Sequence, residues 1–226
     1  ASESETGDWV FVHEDTGVEF IGYDFTETHS QIIKYRTITD KKGDRYQLVL
    51  DKTPFYAESG GQVGDTGWLI SDLEKIKVID TKKENDLIVH FVEKLPANPE
   101  KRFSAEVDKE KRTLTMNNHT ATHLLQSALR EVLGDHIQQR GSLVNENLLR
   151  FDFSHFGKMS EEEIARVEEI VNAKVRENIP LVEQRNVPIE EAKKMGATAL
   201  FGEKYGDFVR VITFDKDFSV ELCGGT

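Results

Sequence analysis

The chain has 226 residues, a length that suggests one or two domains with a sizeable core. Hydrophobic residues make up 38% and charged residues 31%, as in ordinary soluble globular proteins, and no apolar run approaches the roughly 20 residues that a membrane-spanning helix needs. The formal net charge of −12 argues against general coating of nucleic acid, and a single cysteine excludes an internal disulfide framework.

The two ends of the chain predict a piece of a longer protein. The sequence begins with Ala1 rather than methionine and stops within a turn at Gly224 and Gly225. Its acidic, polar start lacks the basic and then apolar pattern of a secretory signal. Because one unpaired thiol also fits a reducing compartment, we expect a fragment of a cytoplasmic protein.

Residues 1–105 are predicted to form a small β-barrel subdomain, with a sandwich as the alternative. Short runs of β-branched and aromatic residues alternate with turn signals, and no helical period separates them. A loop with four glycines, Ser59–Gly67, interrupts the pattern. The predicted strands are Trp9–Val12, Gln31–Ile38, Arg45–Leu50, Ile76–Thr81, Leu87–Val92 and Phe103–Val107.

Residues 106–226 change to a helical period, which together with further strands predicts an α+β domain. One helix is expected over 108–133, and a short one over 189–195. Another begins at Ser160, where Glu163 completes a capping-box pattern. The apolar positions that define the two longer helices include Leu114, Ile164 and Val175. The predicted strands are Ser142–Val144, Leu148–Phe153, Val209–Phe214 and Phe218–Leu222.

Two histidines four residues apart, His119 and His123, provide the sharpest chemical signal. Residues with this spacing lie on one face of a helix, so both imidazoles can reach one metal ion, although one or both can equally pack or face solvent. Cys223 is the only cysteine and opens a Cys-Gly-Gly-Thr turn. A buried structural cysteine is the alternative, but two histidines and one thiolate form a ligand set suited to zinc.

Two weaker features supply candidate binding residues. The Ser59–Gly67 loop can let the backbone approach a ligand, but a tight turn is the interpretation that the loop alone favours. It lacks the Gly-Lys-Ser/Thr ending of a phosphate loop, so nucleotide binding is not expected. Gln139, Arg140 and Ser142 can line a pocket beside the metal, or lie in a solvated loop. The other five histidines are predicted to be surface or packing residues: His13, His29, His90, His136 and His155.

Several long motifs resemble the bacterial-type alanyl-tRNA synthetases and their free-standing editing relatives. They occur in that family's order and cover nearly the whole chain from Gly22 onward. The matching segments are Thr53–Gly67, Asn118–His123, Gly141–Val144, Leu149–His155, Ala199–Tyr205 and Glu221–Thr226. So many motifs in order identify the sequence as part of that family's editing region.

The resemblance implies a particular architecture and a particular parent enzyme. It implies a β-barrel subdomain over 1–105 and, over 106–226, an editing core of the additional-domain type shared by alanyl- and threonyl-tRNA synthetases. The parent would attach alanine to tRNA(Ala), with ATP and Mg²⁺ in an aminoacylation domain outside this chain. Oligomerisation would occur through a C-terminal domain that is also outside it.

The resemblance also implies that this region hydrolyses mischarged Ser-tRNA(Ala) and Gly-tRNA(Ala) at a zinc site. His119, His123 and Cys223 take the ligand roles, and the family's fourth ligand is a histidine one position beyond Thr226. Cys223 and Gln139, which matches a glutamine that bears on editing, are the predicted catalytic residues. The matching glycine loop lies near the editing pocket in the family, which makes its central residues candidates for substrate binding: Gly60, Gly61 and Gln62.

Discrimination of serine from alanine requires a polar group, because serine is the larger residue and size exclusion cannot be the test. The side chains of Gln139, Thr120, Thr122 and Ser142 are the predicted substrate-binding groups. Zinc can activate water or position the amino acid, and the residues do not distinguish these roles. The alternatives to an editing domain are a non-catalytic module that binds the tRNA acceptor end and a free-standing trans-editing deacylase.

The acidic charge lies mostly outside the segment that carries the two histidines. Residues 108–158 hold six acidic and seven basic residues, whereas residues 1–40 hold nine acidic and two basic ones. The 108–158 segment is therefore the part expected to meet the acceptor end of tRNA. The basic residues expected to contact phosphates are Lys109, Lys111, Arg112, Arg130, Arg140 and Arg150.

Overall fold

The computed structural model describes residues 5–40, 43–199 and 205–226. Its contacts group the chain into two compact units. The first takes in the described residues up to Ser59 together with Val63–Thr113, and the second comprises Gly60–Gln62 and Leu114–Gly225. The predicted boundary between residues 105 and 106 stays a prediction. Within the motif over 199–205, residues 200–204 lie outside the described residues.

The first unit contains a closed barrel of six antiparallel strands among its described residues, so the predicted barrel is confirmed. The barrel follows the order β4-β10-β7-β8-β9-β5 and closes through pairing of β5 with β4. Its strands in chain order are β1 (Glu5–Thr6), β2 (Val10–Phe11), β3 (Glu19–Phe20), β4 (Glu27–Asp40), β5 (Gly43–Leu50), β6 (Lys52–Thr53), β7 (Gly67–Ile70), β8 (Lys75–Glu84), β9 (Leu87–Val92) and β10 (Arg102–Val107). β1 and β2 pair with β4, and β3 runs parallel to β6.

Alternating burial along the strands produces the barrel core. In β7 and β10 every second side chain is buried, as expected for strands with one face toward an apolar interior. β7 was not predicted, because its first residue, Gly67, is also the last residue of the glycine loop. The buried cluster comprises Ile32, Leu48, Leu50, Phe55, Leu69, Ile76, Val78, Val92, Phe103, Ala105 and Val107.

A fully buried histidine, His90 on β9, adds a titratable group to this interior. Its Nε2 lies 2.7 Å from Thr53 Oγ1, and its Nδ1 lies 3.1 Å from the Leu48 carbonyl oxygen. Burial lowers the pKa of His90 to about 4, against the opposing effect of the hydrogen bond with Leu48. The native unit therefore keeps a neutral imidazole at pH values where a solvated histidine is already charged.

We expect the first unit to lose stability as the pH falls from about 6.5 toward 4. The unfolded chain protonates His90 near its ordinary pKa of 6.5 and the folded chain only near 4, so the stabilisation is complete above 6.5 and declines below it, by about 3 kcal/mol in total. Both tryptophans, Trp9 and Trp68, lie in this unit, and their fluorescence during urea unfolding at pH 7 and 4.5 measures the effect.

The matched variants are His90→Gln and His29→Gln, because His29 is an exposed histidine of the same unit. His90→Gln should flatten the pH dependence, whereas His29→Gln should leave it as in the wild type. An unchanged slope in His90→Gln would contradict the assignment of the effect to His90.

Arg112 takes part in a buried ion pair of the first unit, so its predicted role in phosphate binding is wrong. The residue is 4% exposed. Its guanidinium contacts the Asp65 carboxylate and donates to the carbonyl oxygens of Gly22, at 2.7 Å, and Pro54, at 2.9 Å. The carboxylate of Asp65 also accepts the Tyr56 N–H at 2.7 Å. All five guanidinium donors of an arginine can be used in such a buried site, and no tRNA phosphate can reach it.

The second unit combines helices and strands, which confirms the predicted α+β class. Its elements are α1 (Lys109–Leu133, of which residues up to Thr113 group with the first unit), β11 (Gln139–Val144), β12 (Leu149–Phe153), α2 (Glu161–Arg176), β13 (Val182–Pro188), α3 (Ile189–Lys194), β14 (Phe208–Phe214) and β15 (Ser219–Leu222). β11 and β12 form an antiparallel pair, and β13, β14 and β15 form an antiparallel sheet. Within the described ranges, none of the helices combines the length and apolarity required to cross a membrane.

The helices predicted from apolar spacing are confirmed, and so is the capping-box signal at the start of α2, although some of the apolar positions are exposed. Ser160 Oγ accepts the Glu163 N–H, and the Glu163 carboxylate accepts the Ser160 N–H, as in a capping box. Leu114, Ile164 and Val175 are 44%, 42% and 56% exposed, because the apolar stripe of each helix is wider than the face that packs. The strand β13 was missed, since its polar, mostly exposed sequence carries little apolar alternation.

Candidate metal centre

The second unit brings His119, His123 and Cys223 together. The two histidines project from α1, and their rings stack with centroids 4.9 Å apart and planes 8° apart. Cys223 follows β15, and its Sγ lies 3.4 Å from His119 Nε2. One ligand atom from each of the three residues lies within 4.8 Å of the others. Two imidazole nitrogens and one thiol form a donor set compatible with zinc.

The outer nitrogen of each imidazole has its own partner. His119 Nδ1 lies 2.7 Å from Gln62 Oε1, and His123 Nδ1 lies 2.5 Å from Glu221 Oε2. All four of these side chains are buried. The nitrogen that faces Cys223 on His119 is therefore Nε2, and the ring is held from its opposite side.

The electrostatics of the cluster favour a thiolate at Cys223. Burial raises the pKa of this thiol, but hydrogen bonds with His119 and His123 outweigh burial and lower it to about 5. Burial also disfavours the charged form of His123, while the Glu221 carboxylate and Cys223 together raise its pKa to about 10. The thiolate is the form of cysteine that binds metals, and His123 would release its proton when a metal takes its place.

The turn that carries Cys223 is fixed by backbone contacts. Arg210 Nη1 donates to the carbonyl oxygens of Cys223, at 3.0 Å, and Gly225, at 2.6 Å. The Gly225 N–H donates to Cys223 Sγ at 3.3 Å. A Cβ atom at position 225 would lie 2.1 Å from His119 Cε1, so the second glycine of the turn is required by close approach to the imidazole.

The predicted substrate-binding residues near β11 form a neighbouring group. Gln139 Nε2 donates to Ser142 Oγ at 3.1 Å, and Ser142 Oγ donates to the Gly60 carbonyl oxygen at 3.3 Å. Gly61 has a φ of +84°, and a Cβ atom there would lie 1.9 Å from Ser142 Oγ. The hydrogen bond from Ser142 to Gly60 joins the glycine segment to β11, and Gln62, the next residue after Gly61, contacts His119.

The two predicted threonines differ in their surroundings. Thr122 is buried and its Oγ1 donates to the Asn118 carbonyl oxygen at 2.8 Å, so the hydroxyl hydrogen is used within the helix. Thr120 lines a cavity of about 460 Å³ together with Lys174 and Phe214. The ring of Phe214 lies 6.1 Å from the His123 ring, which places one wall of this cavity beside the metal-ligand cluster.

Two residues of the centre, Glu221 and Arg210, were missed by the sequence analysis. A signal existed for Glu221, which is a carboxylate between the apolar residues Val220 and Leu222 in a short strand two positions before Cys223. A buried charge in such a strand needs a partner. No comparable signal marks Arg210, because its acceptors, two backbone carbonyls of the Cys223 turn and the carboxylate of Glu183, are distant from it in sequence.

Comparisons with known proteins agree with this architecture. The family model of class II (A) tRNA synthetases matches residues 4–112. The chain is 62% identical over 226 residues to a protein of Cytophaga hutchinsonii and 59% identical over 226 residues to one of Bacteroides fragilis, both named alanine--tRNA ligase. A protein of the same name from Bacteroides thetaiotaomicron is 62% identical over 225 residues. Each match covers the whole chain but only 26% of the relative.

These matches identify the chain as a region of a class II tRNA synthetase. The particular family is that of the alanyl-tRNA synthetases, of which the chain is a segment. The chain spans about a quarter of the length of the curated relatives it matches. The resemblance of its motifs to this family is therefore confirmed.

Proposed function

We propose that this segment edits mischarged tRNA, hydrolysing the ester that joins serine or glycine to tRNA(Ala). The observation that carries the proposal is the cluster of the two buried histidines His119 and His123 with the half-buried Cys223, in surroundings that lower the pKa of the thiol. Hydrolysis of an ester can use the Lewis acid that such a ligand set would hold. The barrel unit supports the proposal less directly, since its family match extends over the glycine segment.

The cluster would hold zinc through His119 Nε2, a nitrogen of His123 and Cys223 Sγ. Bound there, zinc supplies a Lewis acid that can polarise a carbonyl and lower the pKa of water to about 7. The fixed turn at Gly225 and the stacked imidazoles pre-organise the three ligands. The chain's own contribution is therefore a rigid, partly dehydrated site in which an ester carbonyl is exposed to attack.

Recognition of the amino acid is assigned to the polar groups beside the cluster. Gln139 and Ser142 are hydrogen-bonded to each other, and we assign them to the serine hydroxyl, with Gln139 also orienting the reacting ester. Thr120 and Thr122 and the segment Gly60–Gln62 complete the proposed substrate-binding set. Serine carries a hydroxyl that the site can hydrogen-bond, and alanine does not. This difference explains how the larger serine is selected over the smaller alanine.

The longer protein is proposed to be an alanine--tRNA ligase of the cytoplasm. Its relatives carry that name, and an aminoacylation domain elsewhere in such a protein would use ATP and Mg²⁺. The acceptor end of tRNA(Ala) is the proposed partner of the present segment. Oligomerisation of the longer protein through another domain belongs to the same proposal.

The proposal predicts deacylation by the 226-residue chain itself. In single turnover with zinc, Ser-tRNA(Ala) should be hydrolysed at least about 100-fold faster than Ala-tRNA(Ala), because a site that hydrogen-bonds a hydroxyl rejects the analogue that lacks it. Protein stripped with a chelator should lose the activity and regain it with added zinc. The release of radiolabelled serine from the tRNA measures both rates.

The same assay distinguishes editing from the non-catalytic alternative. A module that only binds the acceptor end would retard tRNA in a gel and protect the ester from spontaneous hydrolysis. Protection without acceleration, in protein shown by metal analysis to contain zinc, would contradict the editing proposal and favour a binding module.

A further inference from the structure

The histidines of the cluster depend on partners outside the ligand set. A metal-binding imidazole usually donates its other N–H to an acceptor, which fixes both the tautomer and the ring orientation. Here the two acceptors are chemically different, an amide oxygen of Gln62 at 2.7 Å from His119 Nδ1 and a carboxylate oxygen of Glu221 at 2.5 Å from His123 Nδ1. Both acceptors are almost completely excluded from solvent, at 0% and 4% exposure.

The glycine segment that precedes Gln62 positions its side chain beside His119. The Gly61 carbonyl oxygen accepts the Val144 N–H at 2.7 Å, and Gln62 forms an isolated parallel bridge with Val144. This pairing requires Gly61, since its φ of +84° and the 1.9 Å approach of a Cβ atom to Ser142 Oγ exclude a side chain. The register with β11 then turns the buried amide of Gln62 toward the imidazole.

The strand that leads to Cys223 positions the Glu221 side chain beside His123. Residues 221 and 223 are two positions apart on an extended chain, so their side chains leave the same side of it. Ser219 Oγ donates to Glu221 Oε1 at 3.3 Å, which leaves Oε2 for His123. A parallel bridge between Thr198 and Glu221 fixes the backbone at this point.

We propose that Gln62 and Glu221 are positioning residues of the metal centre, each holding one imidazole by Nδ1 so that the ligand nitrogen faces Cys223. The Ser-Gly-Gly-Gln sequence over 59–62 then serves to bring an acceptor to His119. This role is compatible with a nearby substrate but does not require one. The inference rests on the proposed metal centre and adds to it two residues that do not touch the metal.

The test is a cobalt titration of the full 226-residue chain, in which the charge-transfer band of the Co²⁺–thiolate bond and the d–d bands report affinity and geometry. Gln62→Leu removes the acceptor at similar volume and should weaken Co²⁺ binding by about 10- to 100-fold. Gln62→Glu retains an acceptor oxygen and should recover most of the affinity. Glu221→Gln should lose less affinity than Glu221→Leu for the same reason.

The matched control is Gln126→Leu, which removes a buried glutamine from the same unit. It should bind Co²⁺ as the wild type does, with the same band positions. Circular dichroism of the metal-free variants measures folding. If Gln62→Leu does not fold, Gln62→Asn keeps a polar amide but withdraws its oxygen by one methylene, and it should show the same loss of affinity.

The outcomes separate the inference from the function on which it rests. Wild-type affinity and an unchanged spectrum in folded Gln62 and Glu221 variants would overturn the positioning role and leave the metal centre standing. Failure of the wild type to bind Co²⁺ or Zn²⁺ would overturn both. Metal binding with the predicted losses, but without deacylation of Ser-tRNA(Ala), would uphold the positioning role and contradict editing.

Discussion

Replacing Cys223 by alanine is expected to weaken zinc binding by more than about 100-fold, because even residues that only orient metal ligands contribute about 10- to 100-fold. Hydrolysis of Ser-tRNA(Ala) should fall by a similar factor. The thiol is the only cysteine sulfur of the chain and the only anionic ligand in the cluster. Competition with a chromophoric chelator measures the affinity, and single-turnover deacylation measures the rate.

Cys223 also packs against the buried cluster of Leu124, Ile212 and Phe214, so a loss in the alanine variant has two candidate causes. Cys223→Ser separates them, since it restores most of the volume without a soft thiolate. We expect the serine variant to fold normally and to bind zinc as poorly as the alanine variant. Recovery of zinc binding in Cys223→Ser would show that packing, rather than ligation, explains the loss.

The part of the metal centre that depends on local geometry was predictable from the sequence. His119 and His123 lie one helical turn apart, and a helix of 25 residues guarantees that both rings point to one side. Cys223 was predictable as a ligand only from its chemistry and from the family resemblance. Its approach to His119 depends on β14, β15 and the turn held by Arg210, which no local pattern specifies.

The partners of the imidazoles show why the rest of the centre was not predictable. Gln62 reaches His119 across 57 positions in sequence, through a register between the glycine segment and β11. Pairing between distant segments is a property of the folded chain, and a shift of one residue would turn the amide to the opposite side. The loop alone favoured a tight turn, and only the family resemblance made Gly60, Gly61 and Gln62 candidates for substrate binding, a role that stays a prediction.

Three of the histidines predicted to be surface or packing residues have partners that only the fold reveals. His136 Nε2 lies 3.0 Å from His155 Nδ1, and the exposed ring of Phe156 stacks on His136 with centroids 4.5 Å apart. His90 is buried in the barrel, in agreement with the packing alternative of the prediction. Apolar alternation identified the strand that carries His90, but it did not reveal the hydroxyl and carbonyl groups that receive the imidazole.

For the basic residues expected to bind phosphate, the sequence likewise did not show which charges are buried and which are exposed. Arg112 and Lys109 both lie in the first turn of α1 and have the same formal charge. The first is buried against Asp65, while the second forms a 2.8 Å ion pair with Glu27 at the surface. A count of charges in the sequence treats the two alike, although removal of one partner is several-fold more costly in a buried ion pair than in an exposed one.

Because Arg112 is buried with its counter-charge and Lys109 is not, we expect substitution of Arg112 to have the largest effect on stability. Arg112→Met should lower the free energy of unfolding of the first unit by about 3–5 kcal/mol, because it leaves the Asp65 carboxylate buried without its counter-charge. Two backbone carbonyls, of Gly22 and Pro54, also lose their donor. Lys109→Met removes a cation of the same unit from an exposed, solvent-screened pair and should lower the free energy of unfolding far less than Arg112→Met does.

Urea unfolding followed by the fluorescence of Trp9 and Trp68 measures both variants in the same unit. The double variant with Asp65→Asn should recover part of the loss, since it removes the uncompensated charge while the amide oxygen can still accept the Tyr56 N–H now bound at 2.7 Å. Equal costs for Arg112→Met and Lys109→Met would mean that burial adds nothing to the Arg112 pair. A large cost for Arg112→Met that Asp65→Asn partly reverses would show that the penalty lies in the isolated carboxylate.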